Sequence, residues 1–193
     1  MAPAYPIRVD VDPPAQQNRL SVLLRIIFII PAAIVVSVIG VVAAVIYFIA
    51  WFAILFTGSY PQGLLKFSAG SLRWGMRVLG YFYLLTDKYP PFSLEPDENY
   101  PVRIAIDERV SGRNRLTTFW PIRWLLALPH LIIVQVLGYA AAVVGLIGWV
   151  AAIFTGSLPV GLHNFLVGYL RWYARANGYM LDLVDEYPPF GLS

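Results

Sequence analysis

Among the side chains of this sequence that could do chemistry, the arginines stand out because they recur at a fixed spacing. Lys66, Gly70, Arg73, Arg77 and Gly80 fall on one stripe of a helix by steps of three and four. The stripe returns 98 residues later as Asn164, Gly168, Arg171, Arg175 and Gly178. Guanidinium groups separated by small residues suit phosphate or carboxylate, which they bind through two parallel N–H donors. Lys66, Arg73, Arg77, Arg171 and Arg175 are therefore the candidate contacts for anionic lipid headgroups or another anionic ligand.

The other reactive side chains lack partners at useful spacing. His130 follows Pro129 inside an apolar run, and its counterpart is Ala32, so it reads as a polar residue facing another helix. His163 matches Leu65 and has no second ligand at metal spacing. Ser59 and Ser157 lie in turns without a paired base, which argues against a nucleophile. Asp182, Asp185 and Glu186 cluster, but only Asp185 has an acidic counterpart, Asp87; a cap or a salt bridge to an arginine of its own copy is expected there. The chain has no cysteine, which excludes disulfides, thiol catalysis and thiolate metal sites. No phosphate loop, zinc motif or haem signature occurs. The expectation is a non-enzymatic protein with no catalytic residue, cofactor or metal.

The elements that must position these groups come in two copies. Ile26 to Leu65 contains no Asp, Glu, Lys or Arg, and its heart, Pro31 to Thr57, returns as Pro129 to Thr155. Both runs exceed the ~20 apolar residues needed to cross a bilayer. Arg25 matches Arg123, Pro31 matches Pro129, Trp51 matches Trp149, and Phe-Thr-Gly-Ser at 56–59 recurs at 154–157. Tyr5-Pro6-Ile7-Arg8-Val9 recurs as Tyr100-Pro101-Val102-Arg103-Ile104, and Asn18-Arg19-Leu20 as Asn114-Arg115-Leu116. So many matches in order mark a tandem duplication, with copies at 1–95 and 96–193.

Each copy opens with a period-two segment, 7–12 or 102–107, that reads as a short surface strand able to pair with its twin. A polar connector leads into a long apolar helix, roughly 20–57 and 116–155, that the internal proline should kink, leaving a separate leading turn. Thr-Gly-Ser-x-Pro ends it and starts an amphipathic helix over about 62–85 and 160–183. The fold class predicted is all-α integral membrane, in tandem duplicate. The aromatics, among them Trp51, Trp74, Trp120, Trp124 and Trp149, collect towards the ends of the apolar runs, where rings settle at headgroup level.

Composition agrees. Hydrophobic residues make up 59% and charged residues 13%, against roughly 45–50% and 25% in soluble proteins. Residues 1–95 carry seven basic and four acidic side chains, and residues 96–193 seven and seven, too balanced and scattered for nucleic acid. The polar, proline-rich N-terminus is not a cleavable signal, so the first apolar run is expected to direct insertion.

Three arrangements compete. Single crossings would oppose the two copies and put basic residues on both sides. Two-helix hairpins turning at the Thr-Gly-Ser segments would keep the polar connectors cytoplasmic but submerge Arg73 and Arg171, at about 2.5–3.5 kcal/mol per arginine mid-bilayer. Re-entrant hairpins turning near Gly40 and Gly138 would keep all charge on one face but bury an open turn. Charge favours the second, with the arginines snorkelling; a flat amphipathic helix with its arginines on phosphates is the simplest reading of the stripe alone.

Arg-x5-Pro, Trp-x4-Phe-Thr-Gly-x2-Pro-x-Gly-Leu, Leu-Arg-Trp-x2-Arg and Asp-x-Tyr-Pro-Pro-Phe, taken in order, resemble the bacterial integral-membrane family catalogued as the domain of unknown function DUF4389. The resemblance covers almost the whole chain as two copies. It implies a multi-pass protein of the bacterial inner membrane and brings no activity, substrate or catalytic residue. The functional expectation is a scaffold, accessory or lipid-interacting protein whose partners are the bilayer, anionic headgroups, and a second copy or another membrane protein. A small transporter with a site between the repeats is the alternative.

Overall fold

The computed structural model describes residues 5–192. In chain order it contains β1 (Ile7–Val11), α1 (Arg19–Thr57), α2 (Gln62–Phe82), β2 (Val102–Ile106), α3 (Arg115–Thr118), α4 (Trp120–Thr155) and α5 (Val160–Met180). The fold is therefore mostly helical with one two-stranded sheet. β1 and β2 pair antiparallel, with Ile7 opposite Ile106, Val9 opposite Ile104 and Val11 opposite Val102. Their apolar face is buried, while Arg8 and Asp10 point outwards.

Local chemistry sets the helix limits. The Asn18 side chain accepts from the amides of Leu20 and Ser21, and Asn114 does the same for Leu116 and Thr117. Gly58 and Gly156, with φ of 71° and 78°, close the long helices in the left-handed conformation that glycine adopts without strain. α1 runs unbroken through Pro31 and α4 through Pro129, so the separate leading turn expected from the internal proline is absent from both copies. The second copy instead breaks earlier, into α3 and α4, because Pro121 can open a helix but cannot continue one.

α2 and α5 end three residues before the sequence suggests. Each closes with the amide of the second residue past the cap bonded back to a glycine carbonyl: Leu85 to Gly80 at 3.0 Å, Leu183 to Gly178 at 2.9 Å. The left-handed position is held by Leu84 (φ 63°) in one copy and Asp182 (φ 54°) in the other. Neither is glycine, so nothing in composition marks the stop.

The amphipathic helices form the centre of the molecule. One face of α2 carries Ser71, Trp74, Gly75, Val78 and Phe82 towards α1. A second carries Gly70, Arg73, Arg77 and Gly80 towards β2 and the chain leaving Pro91. Leu72 lies towards α5, near Gly178. The two copies are interlaced: β1 packs on α5 and β2 on α2, so each central helix holds the strand of the other copy. Gly80 lies against Val102, and Gly178 against Ile7.

The long helices bury little. In the most apolar 18-residue stretch of each, only 11% is buried. Ile26, Ile34, Val41 and Phe56 on α1, and Leu125, Ile132, Val143 and Phe154 on α4, lie open. The turns after them dock on the connectors of the opposite copy. The amide of Tyr60 bonds the Val110 carbonyl at 2.7 Å, that of Arg113 bonds Gly58 O at 3.0 Å, and that of Gln17 bonds Gly156 O at 2.8 Å. The hairpin arrangement favoured by charge is thereby corrected, since a turn hydrogen-bonded to a connector cannot lie across a bilayer from it.

Candidate functional site

The arginine stripe faces into the protein. Arg73 is 6% exposed; its Nε donates to Ile104 O at 3.3 Å and its NH2 pairs with Glu108 at 2.6 Å. Arg77 donates to Ser93 O at 3.0 Å and Glu95 O at 2.7 Å. Arg175 donates to Gly191 O, the counterpart of Ser93 O, at 2.7 Å. These groups tie strand and tail to the central helices. The flat-helix reading, in which the stripe lies on lipid phosphates, does not describe these three residues. Lys66 is exposed and stands apart from them.

Arg171 differs from its twin. Its Nε donates to Val9 O at 3.2 Å. Asp12, just past β1, pairs with Arg103 at 2.8 Å. Arg171 has no acidic partner among the described residues. It lines a pocket of about 310 Å³ with Tyr5, Ile7, Arg8, Val9, Asp10 and Arg175. Three guanidinium groups against one carboxylate, drawn from both copies, leave this recess with an excess of positive charge.

A second pair of arginines is buried at least as deeply as the stripe. Arg25 donates to Tyr81 O at 2.8 Å, Thr86 O at 3.0 Å and Gln17 Oε1 at 3.0 Å, and pairs with Asp87 at 2.7 Å. Arg123 takes the same place, donating to the Tyr179 and Val184 carbonyls and pairing with Asp182 at 2.7 Å. Each stacks on the tyrosine it bonds, 4.4 Å from the ring centroid. The salt bridge expected of Asp87 and Asp185 is present: Asp185 lies 3.6 Å from Arg123 and 3.5 Å from Arg113. The repeat matches mark Arg25 and Arg123, but their apolar neighbours hide that they staple the helix ends.

The second copy adds a charge pair to this staple. Gln17 and Leu84 of the first copy are replaced by Arg113 and Asp182. Gln17 Nε2 donates to Leu84 O at 2.6 Å, whereas Arg113 donates to the carbonyls of Asp182 and Leu183. Asp182 is fully buried and accepts from Thr118 Oγ1 at 3.1 Å. Burial pushes its carboxyl up to about 6 despite the attraction of Arg123.

His130 is buried in the second copy. Its Nδ1 accepts from Trp172 Nε1 at 3.0 Å, and its ring stacks on Phe190 at 4.2 Å. In the first copy, where Ala32 stands, Trp74 Nε1 donates to Pro91 O at 2.7 Å. His130 thus replaces a backbone acceptor. His163 Nε2 lies 3.1 Å from Asp12 O. No group of three metal-ligating side chains occurs among the described residues. The aromatic belt is only partly where the sequence suggests: Trp120 and Trp124 are exposed, but Trp74 is buried, and Trp51 and Trp149 donate to Thr118 O and Val22 O.

Neither a curated protein nor a solved structure matches the chain. A family model does, twice, over residues 19–93 and 117–191. Those segments run from the start of each long apolar helix, through the arginines of the central helix, to the Tyr-Pro-Pro-Phe tail. The chain belongs to the family described as Domain of unknown function (DUF4389), in two tandem copies.

Proposed function

We propose that this chain is a non-enzymatic, lipid-interacting membrane protein, seated in the bilayer of the bacterial inner membrane from one face. The observation that carries the reading is the outer surface of α1 and α4. Helices of 39 and 36 residues that bury 11% of their most apolar stretch need a solvent other than water. Arg19 and Arg115 are exposed beside Leu20 and Leu116, with Trp120 and Trp124 nearby, a pairing suited to the headgroup layer.

Length argues against an upright span. A 39-residue helix is about 58 Å long, roughly twice the ~30 Å hydrocarbon core. The sheet joins the connectors of both copies, and the connectors hold the turns. Polar elements therefore share one face, and each long helix begins and ends there. The recess at Arg171 supplies the anionic contact, with Arg8 and Arg175 beside it.

The test pairs alkaline carbonate extraction with titration of the detergent-purified chain by phosphatidylglycerol in mixed micelles. The chain is expected to stay with the membrane pellet. Arg171→Glu should weaken phosphatidylglycerol binding on the order of tenfold, given about 1 kcal/mol per charge near an anionic surface. Extraction by carbonate would end the membrane reading, and unchanged affinity would end the assignment of Arg171.

A further inference from the structure

The duplication provides an internal comparison, and it exposes one difference the function above does not use. Between α1 and the pair α2 and α5 lies a cavity of about 620 Å³. Its length along α1, from Ile29 to Ala44, is about 22 Å at 1.5 Å per residue. Its polar side chains include Ser37, Ser71, Asn177 and Tyr173, and no charged residue among those described lines it. Volume and lining fall in the range of small-molecule sites, but without the charged group that would orient a polar ligand.

The second copy fills the matching space with its own side chain. Tyr169 stands where the first copy has Ser71, and a Cβ placed on Gly138 would meet its hydroxyl at 3.3 Å. Tyr83 packs edge-on against Tyr169, with centroids 5.9 Å apart. In the first copy Gly40, the twin of Gly138, has nothing within 4 Å of such a Cβ, and neither has Gly75. One framework, built twice, is closed once and left open once. The open copy borders Ile34, Val38 and Val41, which are exposed on α1.

We infer that this cavity takes one acyl chain of a membrane lipid. An uncharged recess continuous with an exposed apolar surface admits hydrocarbon without desolvating any charge, and its length suits a chain rather than a compact solute. The inference rests on the membrane reading above. A helix of a second copy would be too wide, since helices with side chains are about 10–12 Å across.

The test uses the full chain in vesicles of phosphatidylethanolamine and phosphatidylglycerol, doped with a phospholipid bearing a mid-chain photoreactive diazirine. Peptides of α1 and α4 report contact with bulk lipid; Leu72, Met76 and Leu79 on α2 report a chain inside the cavity. The expected result is label on both sets, with loss of the α2 label to background in Ser71→Tyr and in Gly75→Leu while α1 and α4 stay labelled. Gly75→Leu guards against misfolding of the first variant, because its Cβ has open space. Tyr169→Ser should in turn admit label to Leu170. Label on α1 and α4 without label on α2 overturns the cavity, as does α2 label that both variants leave unchanged. Absence of label everywhere overturns the membrane reading instead.

Discussion

At the scale of single residues, the two copies show which charges are structural. Arg25 and Arg123 do the same work on different supports: Arg25 bonds Gln17, which itself donates to Leu84 O, whereas Arg123 pairs with Asp182, whose carbonyl accepts from Arg113. The second arrangement places a carboxylate fully out of water, with a proton affinity raised to about 6. A carboxyl whose folded value exceeds its unfolded value of 3.8 favours the folded state while protonated. That stability is complete below about 3.8 and is lost as pH rises through about 6. Lowering pH from 7 to 5 should therefore stabilise the protein by about 1 kcal/mol relative to Asp182→Asn. Thermal unfolding in detergent at both pH values checks this, and parallel shifts in the two proteins would contradict it.

At the scale of elements, the glycines of the central helices separate into contact positions and open ones. A Cβ on Gly70 would meet Leu94 Cβ at 2.7 Å and Leu94 O at 2.8 Å, and one on Gly168 would meet Leu192 Cβ at 2.8 Å. These are the points where the tail after Tyr-Pro-Pro-Phe crosses the helix, one residue past the carbonyl that accepts from Arg77 or Arg175. Gly63 and Gly161 have nothing within 4 Å. Gly70→Ala should cost about 1–3 kcal/mol by overpacking. Gly63→Ala should be neutral or stabilise by up to about 1 kcal/mol, because alanine loses less backbone freedom in a helix. Denaturation midpoints of the two variants decide it; equal midpoints would mean the tail does not bear on the helix.

At the scale of the whole molecule, interlacing governs the topology. Each strand lies on the other copy's helix, and each Thr-Gly-Ser turn lies on the other copy's connector. Cysteines placed at Ser59, Ser157 and Ser111 in this cysteine-free chain should consequently behave alike towards an impermeant thiol reagent. With the connectors cytoplasmic, none should label in intact cells and all should label after lysis. Labelling of both turns but not Ser111 would restore the two-helix hairpins, and labelling of one turn alone would mean opposed copies.

The sequence by itself determined the duplication, the paired strands, the two long apolar helices and the glycine-capped turns. Each of these depends on local periodicity, on a cap residue or on repetition, all of which can be read along the chain. It also picked out the stripe of Arg73, Arg77, Arg171 and Arg175 as one face of a helix. What covers that face was decided only in three dimensions, since periodicity says which residues look the same way and nothing about what they meet. The partners turned out to be distant carbonyls, Ile104 and Ser93 for one copy, Val9 and Gly191 for the other. The helix stops at Leu84 and Asp182 were equally hidden, because the left-handed turn there is held by Arg25 and Arg123 from another helix rather than by a glycine of its own.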